Sequence, residues 1–416
     1  MKNPYPRWQA SAIGEALHSR RVILLEGPRQ CGKTTLAKHI SLETEERAVY
    51  RTLDDQTLLN SAIDDPHGFV AHGDNLMIID EVQRAPALLT AVKKDVDENQ
   101  KSGRFMLTGS ANIQSLPKVK ESLAGRVRKI RLRPLSEGEL ERKQPNFLRR
   151  LFLGDVQTLP SSDLNKDDYL ARAIRGGFPE AVLMTVPRER QLWHRDYINA
   201  LIERDLKDIA NIRRQDSLLK LIEALAAWSS KFMDISAIGA SLSLTHGTLE
   251  SYINAFETLY LVDRVRPWTK TDYARIGKKD KLFLADTGLM ASCLNWTLDK
   301  VRLDGELNGK LMETFVYTQL AGLIDVAAGE YSLSHYRDRE KREVDFVIED
   351  SSNRIIGIEV KAGTNIDSDS FKHLKWFRSN VVPDKAFTGI VLYSGEHTAS
   401  FGPNLWAVPT SSLWCA

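Results

Sequence analysis

Apolar residues are unevenly spread along this chain. In the first third they form short unbroken runs, Val22-Ile23-Leu24-Leu25, Leu76-Met77-Ile78-Ile79 and Phe105-Met106-Leu107, with a looser one at Ala48-Val49-Tyr50-Arg51-Thr52-Leu53. A run with no polar face suits a strand covered on both sides, as in a parallel sheet. Ala87 to Val96 has helical periodicity between two such runs. The alternation predicts an α/β fold with helices on both faces of a parallel sheet. Further on the pattern changes. A long helix is expected over 189–209, after a Ser/Asp/Pro-rich loop at 155–165, and shorter helices over 218–228, 235–242 and 245–257. Alternating segments at 261–266 and 281–284 read as strands. The last quarter opens with an amphipathic helix over 309–320 and continues with strands at 343–348 and 355–361, joined by a Ser-Ser-Asn turn. These shifts divide the chain into 1–150, 151–215, 216–300 and 301–416. A length of 416 residues exceeds what one core usually holds.

Composition adds little to this picture. Lys and Arg number 57 against 55 Asp and Glu, a net +2, so only local clusters can point to a charged partner. Cys31, Cys293 and Cys415 have no metal-binding or paired spacing, which argues against a disulfide framework or structural zinc. Residues 1–8 carry no apolar signal core, and no later run approaches membrane-spanning length. A soluble, cytoplasmic protein without a membrane partner is expected.

Chemistry enters at Gly27-Pro28-Arg29-Gln30-Cys31-Gly32-Lys33-Thr34-Thr35, set between the first apolar run and a helix. This matches the glycine-bracketed phosphate-binding pattern at every required position. The glycines let successive N–H groups turn toward phosphate oxygens, and the following helix adds the positive end of its dipole. Lys33 is expected on the β/γ-phosphates and the Thr34 hydroxyl on Mg²⁺. The second run ends in Asp80-Glu81. A parallel strand delivers such acids to the sheet's C-terminal edge, Asp80 to hold Mg²⁺ through water and Glu81 to orient and deprotonate the attacking water. Ser110 or Asn112, after the next strand, is placed to report on the γ-phosphate, although a plain polar turn also fits. ATP and Mg²⁺ are the cofactors implied.

The Gly-Pro-Arg-x-x-Gly-Lys-Thr-Thr loop, Asp80-Glu81, Leu107-Thr108-Gly109-Ser110 and Ser122-Leu123-Ala124-Gly125-Arg126 together resemble AAA-type ATPases of bacteria and archaea that carry a C-terminal restriction-endonuclease-like domain of unassigned function. The resemblance spans nearly the whole chain. It implies that 1–150 is the ATPase domain and that 151–215 is a lid or connector over the nucleotide. Residues 118–133 hold seven basic residues and one acid, which fits a solvated face. It also fits an arginine finger at Arg126 or Arg128, in cis or across a homo-oligomer interface, and the resemblance favours Arg126.

Residues 216–300 read as a winged helix, whose third helix would face a nucleic-acid groove. From 263 to 281 seven basic residues meet three acids, with Trp268 and Tyr273 interleaved. DNA is the expected partner, and a protein-docking module is the alternative. In 301–416, Glu313 shares the apolar stripe of its helix and so needs a partner. Strand alternation puts Asp345 on the face of Glu343, and Glu359 on the face of Lys361. Asp345, Glu359 and Lys361, with Glu313 nearby, match the set used by Mg²⁺-dependent nucleases. Carboxylates Glu313, Asp345 and Glu359 would hold metal, and Lys361 would support the attacking water. The same fold also serves to bind DNA or RNA without cutting.

Overall fold

A computed structural model describes residues 5–43, 48–110, 125–209, 215–271, 274, 276–327 and 329–416. The chain forms two compact units, Met1–Pro134 with Asn254–Leu261, and Leu135–Ile253 with Val262–Ala416.

The first unit is built on a five-stranded sheet of β1 (Val22–Glu26), β2 (Val49–Thr52), β3 (Met77–Asp80), β4 (Phe105–Gly109) and β5 (Val127–Arg131), in the order β2-β3-β4-β1-β5. Every pairing is parallel. Period-two alternation sends each apolar run to two cores at once. Val22, Leu24, Met77, Ile79, Phe105 and Leu107 pack on one face, while Ile23, Leu25, Ile78 and Met106 pack on the other. Each such side chain contributes roughly 1.5–3 kcal/mol when fully buried, which explains why the runs contain no polar residue.

β5 has no counterpart among the strands read from the sequence. Its residues Val127-Arg128-Lys129-Ile130-Arg131 bury only Ile130, as an edge strand with one wet face does. The parallel register aligns the C-terminal ends: Glu26 lies opposite Gly109 and Thr52 opposite Asp80. Val127, in contrast, lies opposite Val22. Arg126 therefore sits at the sheet's N-terminal edge.

The second unit contains helix Gln215–Trp228, β6 (Lys231–Phe232), helix Ile235–Leu242, β7 (Val262–Val265) and β8 (Lys281–Leu284), with strand order β6-β8-β7. Its larger sheet comprises β9 (Tyr331–Arg337), β10 (Glu343–Asp350), β11 (Ile355–Lys361), β12 (Phe387–Tyr393), β13 (Ala399–Ser400) and β14 (Leu405–Pro409), ordered β13-β14-β12-β11-β10-β9. β9, β10 and β11 form an antiparallel meander, and β11, β12 and β14 run parallel. Helix Gly305–Val326 precedes the meander, and helix Lys372–Asn380 lies between β11 and β12.

Trp268 does not stand among the basic residues as an exposed aromatic. It is 4% exposed and belongs to the core of the larger sheet with Phe377 and Tyr336. Its Nε1 donates to Glu349 at 2.9 Å, and its backbone N–H donates to the His335 carbonyl on β9. An indole whose N–H finds a buried acceptor gains more from the core than from solvent.

Candidate functional site

At the C-terminal edge of the first sheet, β1 runs straight into the glycine-bracketed loop. A Cβ at Gly27 would collide with the Leu132 carbonyl oxygen, and Gly32 adopts φ +102°. Both positions therefore require glycine. The Cys31 thiol is buried and donates to the Leu132 carbonyl, while Arg7 donates to the carbonyls of Cys31 (2.7 Å) and Arg133 (2.6 Å). The loop is thus strapped to the chain leaving β5. Gln30 and Thr35 are exposed, Arg29 is half-buried and Pro28 is buried. Lys33 opens helix Lys33–Glu43 and folds back over the loop, its Nζ donating to the carbonyls of Gly27 (2.9 Å) and Pro28 (2.8 Å). An ammonium held by two carbonyls at the centre of a phosphate cradle is positioned to exchange them for phosphate oxygens.

Asp80 is buried at the end of β3 and accepts hydrogen bonds from Thr34 Oγ1 (2.9 Å), from Tyr50 (2.9 Å) and from Thr108. The hydroxyl and the carboxylate expected to hold Mg²⁺ are therefore already in contact, and this donor set fits that ion. Burial, with Asp80 alongside, raises the Tyr50 phenol well above its ordinary pKa, so it remains a donor. Glu81 turns off the strand in the left-handed region, at φ 60°. Its N–H bonds Thr108, and its carboxylate takes Gln83 Nε2 and Ser110 Oγ, with Gln83 also bonding Ser110 at 3.1 Å. Glu81 and Ser110 thus share one hydrogen-bond group. Asn112 lies outside the described residues. Gln83 and Arg7 carry no motif signal; Tyr50 lies in a run read only as a strand, and Thr108 lies within Leu107-Thr108-Gly109-Ser110.

Arg126 pairs with Asp97 at 2.5 Å. From its edge to the loop's edge the sheet spans about 16 Å at ~3.3 Å per residue, so Arg126 does not serve its own chain's nucleotide site.

In the second unit a different cation takes the place expected for metal. The Lys281 side chain, 1% exposed, lies among Glu313, Glu343 (2.6 Å) and Asp345 (3.4 Å). Among the described residues, these three acids can place one carboxylate oxygen each within 4.8 Å of the others. Burial alone would lower the Lys281 pKa, but Glu313, Asp345 and Glu343 outweigh it and hold the ammonium charged. Burial pushes Glu313 up to about 8, against the pull of Lys281. Asp345 also accepts from the Val360 N–H at 2.9 Å, because β10 and β11 pair with Phe346 opposite Ile358. Glu359 is 6% exposed, and its Oε2 lies 3.4 Å from Lys361. Its Oε1 is buried with no hydrogen-bond partner. Burial and then Asp345 raise the Glu359 pKa. Asp345, Glu359, Lys361 and Glu313 therefore belong to one neighbourhood. The sequence had assigned Lys281 to a wing strand, and nothing local marks it as the partner of acids on later elements.

The basic stretch 263–281 is only partly open. Lys281 is buried, Lys279 pairs with Asp234 at 2.8 Å, and Lys278 lies over the Tyr336 ring. Arg266 and Lys270 are exposed, and Tyr273 lies outside the described residues. No helix among the described residues is long and apolar enough to cross a membrane.

Comparison with known proteins agrees with the first site. Residues 19–141 match the AAA domain family, while residues 166–300 and 308–413 match two domains of unknown function, DUF8612 and DUF4143. An uncharacterized protein of Mycobacterium tuberculosis is 28% identical over 97% of this chain and 83% of its own length. Among solved structures, the Walker-type ATPase of Pyrococcus abyssi is 12% identical, covering 70% of this chain and 96% of that one with a TM-score of 0.42. The Thermotoga maritima RuvB Holliday junction branch migration motor is 20% identical, covering 61% and 88% with a TM-score of 0.28. With the loop, Asp80 and Glu81 gathered at one sheet edge, residues 19–141 form an ATPase-like P-loop domain, similar to the AAA domain family, in a mixed α/β chain.

Proposed function

We propose that the chain is a Mg²⁺-dependent ATPase whose nucleotide state governs a C-terminal region that acts on DNA. The observation that carries the first half is the Thr34–Asp80 contact beside the Glu81–Ser110 pair, at the mouth of the Lys33 loop. The loop N–H groups and Lys33 would bind the phosphates. Thr34 and Asp80 would hold Mg²⁺, which when bound neutralises charge on the β- and γ-phosphates. Glu81 would take the proton of the attacking water. Ser110, hydrogen-bonded to Glu81, would sense whether the γ-phosphate is present.

The DNA half draws support from the order helix Gln215–Trp228, β6, helix Ile235–Leu242, helix His246–Thr258, β7, β8 with an antiparallel three-stranded sheet, which is compatible with a winged helix. It also draws on the Asp345, Glu359 and Lys361 neighbourhood. A second reading, in which this region binds nucleic acid or protein without cutting, is favoured by Lys281 standing within the acidic cluster.

ATP turnover tests the first half. Lys33→Ala is expected to abolish productive nucleotide binding. Glu81→Gln is expected to keep ATP bound while turnover falls ~10²–10⁴-fold, the usual contribution of a positioned base. Unchanged turnover in Glu81→Gln would overturn the assignment. Cleavage of DNA or RNA with Mg²⁺ or Mn²⁺, with and without ATP, separates the two readings of the C-terminal region.

A further inference from the structure

We propose that Tyr260, just past helix His246–Thr258, is a positioning residue of the nucleotide site. It acts through Glu26 on the start of the phosphate-binding loop, so that ATP binding and the end of this helix depend on each other. This rests on the reading of the first unit as an ATPase, and it deepens that reading by naming where the nucleotide state reaches the chain of the second unit. The chain passes between the two units after Pro134, before Asn254 and after Leu261. Helix His246–Thr258 therefore starts in the second unit and ends in the first.

The cap of that helix is the first observation. The Tyr260 N–H donates to the Glu257 carbonyl (2.9 Å) and the Leu261 N–H to the Phe256 carbonyl (3.0 Å). This pair of bonds puts the residue between them in the left-handed region, a place that glycine normally fills. Here a tyrosine holds it at φ 59°. A side chain kept where glycine would be less strained points to work done by that side chain.

Tyr260 is 6% exposed, with the Arg131 guanidinium over its ring at 5.0 Å. Its hydroxyl faces Glu26, the last residue of β1, which lies opposite Arg131 in the pairing of β1 with β5. Burial pushes the Glu26 carboxyl up, and Lys129, the Tyr260 hydroxyl and Arg131 draw it back. Its Oε2 finds no hydrogen-bond partner among the described residues, so the groups that do face this carboxylate matter to it. The Glu26 carbonyl accepts from the Leu132 N–H at 2.8 Å. Next along the chain is Gly27, whose carbonyl is one of the two that Lys33 gives up to meet phosphate. Tyr260, Glu26, Gly27 and Lys33 thus form one line from the helix end to the phosphate cradle.

Tyr260→Phe keeps the ring over Arg131 and removes only the hydroxyl. The full-length variant should bind a fluorescent ATP analogue about tenfold more weakly, because the loop is competent for a smaller fraction of the time. KM for ATP should rise by a similar factor against a much smaller change in kcat. Hydrogen–deuterium exchange gives a second readout that a merely structural role would not move. A non-hydrolysable ATP analogue should slow exchange over 254–261 in the parent chain, and that response should be lost in Tyr260→Phe. Glu26→Ala should behave alike, and the double variant should be no weaker than Glu26→Ala alone, since the two residues act as one unit. Parent-like affinity in Tyr260→Phe, additive losses in the double variant, or exchange over 254–261 that ignores the nucleotide in the parent would each overturn the inference while leaving the ATPase reading intact. A parent chain that binds no ATP analogue would overturn both. If Tyr260→Phe does not fold, Glu26→Ala decides by the same two readouts.

Discussion

Lys281→Met removes the one ammonium that Glu313, Glu343 and Asp345 share while preserving most of the side chain's volume. Its effect follows from burial. Lys281 is 1% exposed, with Glu343 at 2.6 Å, so its loss leaves acids facing one another with little solvent to screen them. Removing one partner of a buried ion pair costs roughly 3–5 kcal/mol. At about 2–4 °C per kcal/mol for a unit of this general size, the second unit should melt on the order of 6–20 °C lower at pH 8.

The deficit should depend on pH. Burial already raises Glu313 from 4.5 to about 8 in the parent chain, and loss of Lys281 raises it further. A carboxyl group whose pKa is higher in the folded chain binds its proton more tightly there. It therefore favours folding below its ordinary value, and that advantage disappears as pH climbs through the raised one. The deficit of Lys281→Met should accordingly be small at pH 5, larger at pH 8 and still growing above it, as pH passes through the raised value of the variant. Thermal melts by circular dichroism at both values, with intrinsic fluorescence to separate the two units, would measure it. Mn²⁺ should restore part of the loss by binding the folded state. A deficit below about 1 kcal/mol at pH 8, the level of an exposed pair, would refute the reasoning, as would one that does not change with pH.

Arg126 stands at the edge of the sheet away from its own loop and is held by a partly exposed pair with Asp97. If it acts across subunits, mixing Arg126→Ala with Lys33→Ala chains should restore part of the ATP turnover that each lacks, and full turnover by a strict monomer would exclude it. Neutralising Arg266, Lys270 and Lys278 should weaken DNA binding equally across sequences and flatten its salt dependence by up to ~0.9 per lost phosphate contact. Unchanged affinity and salt slope in filter binding would remove this face as a DNA surface.

The parts of this protein that were legible without a structure are those whose chemistry lies within a few neighbouring residues. The loop from Gly27 to Thr35 carries its own conformational demands, as Gly27 and Gly32 confirm through a blocked Cβ position and a positive φ. Asp80 and Glu81 follow an apolar run that can only be a covered strand, and the parallel sheet then has no choice but to bring them to the loop. Period two likewise set Asp345 on the face of Glu343 and Glu359 on the face of Lys361, but it was the pairing of β10 with β11 that brought the two acids into one neighbourhood. What could not be read depends on partners distant along the chain. A charged run such as Val127–Arg131 hides a strand because its burial comes from one side only. Trp268 looks like a stacking aromatic until the segment around it pairs with β9. Lys281 looks like one more surface lysine. Only the packing of β8 against acids from Glu313, Glu343 and Asp345 removes it from water, and in that low-dielectric setting an ammonium can remain charged only where those carboxylates surround it.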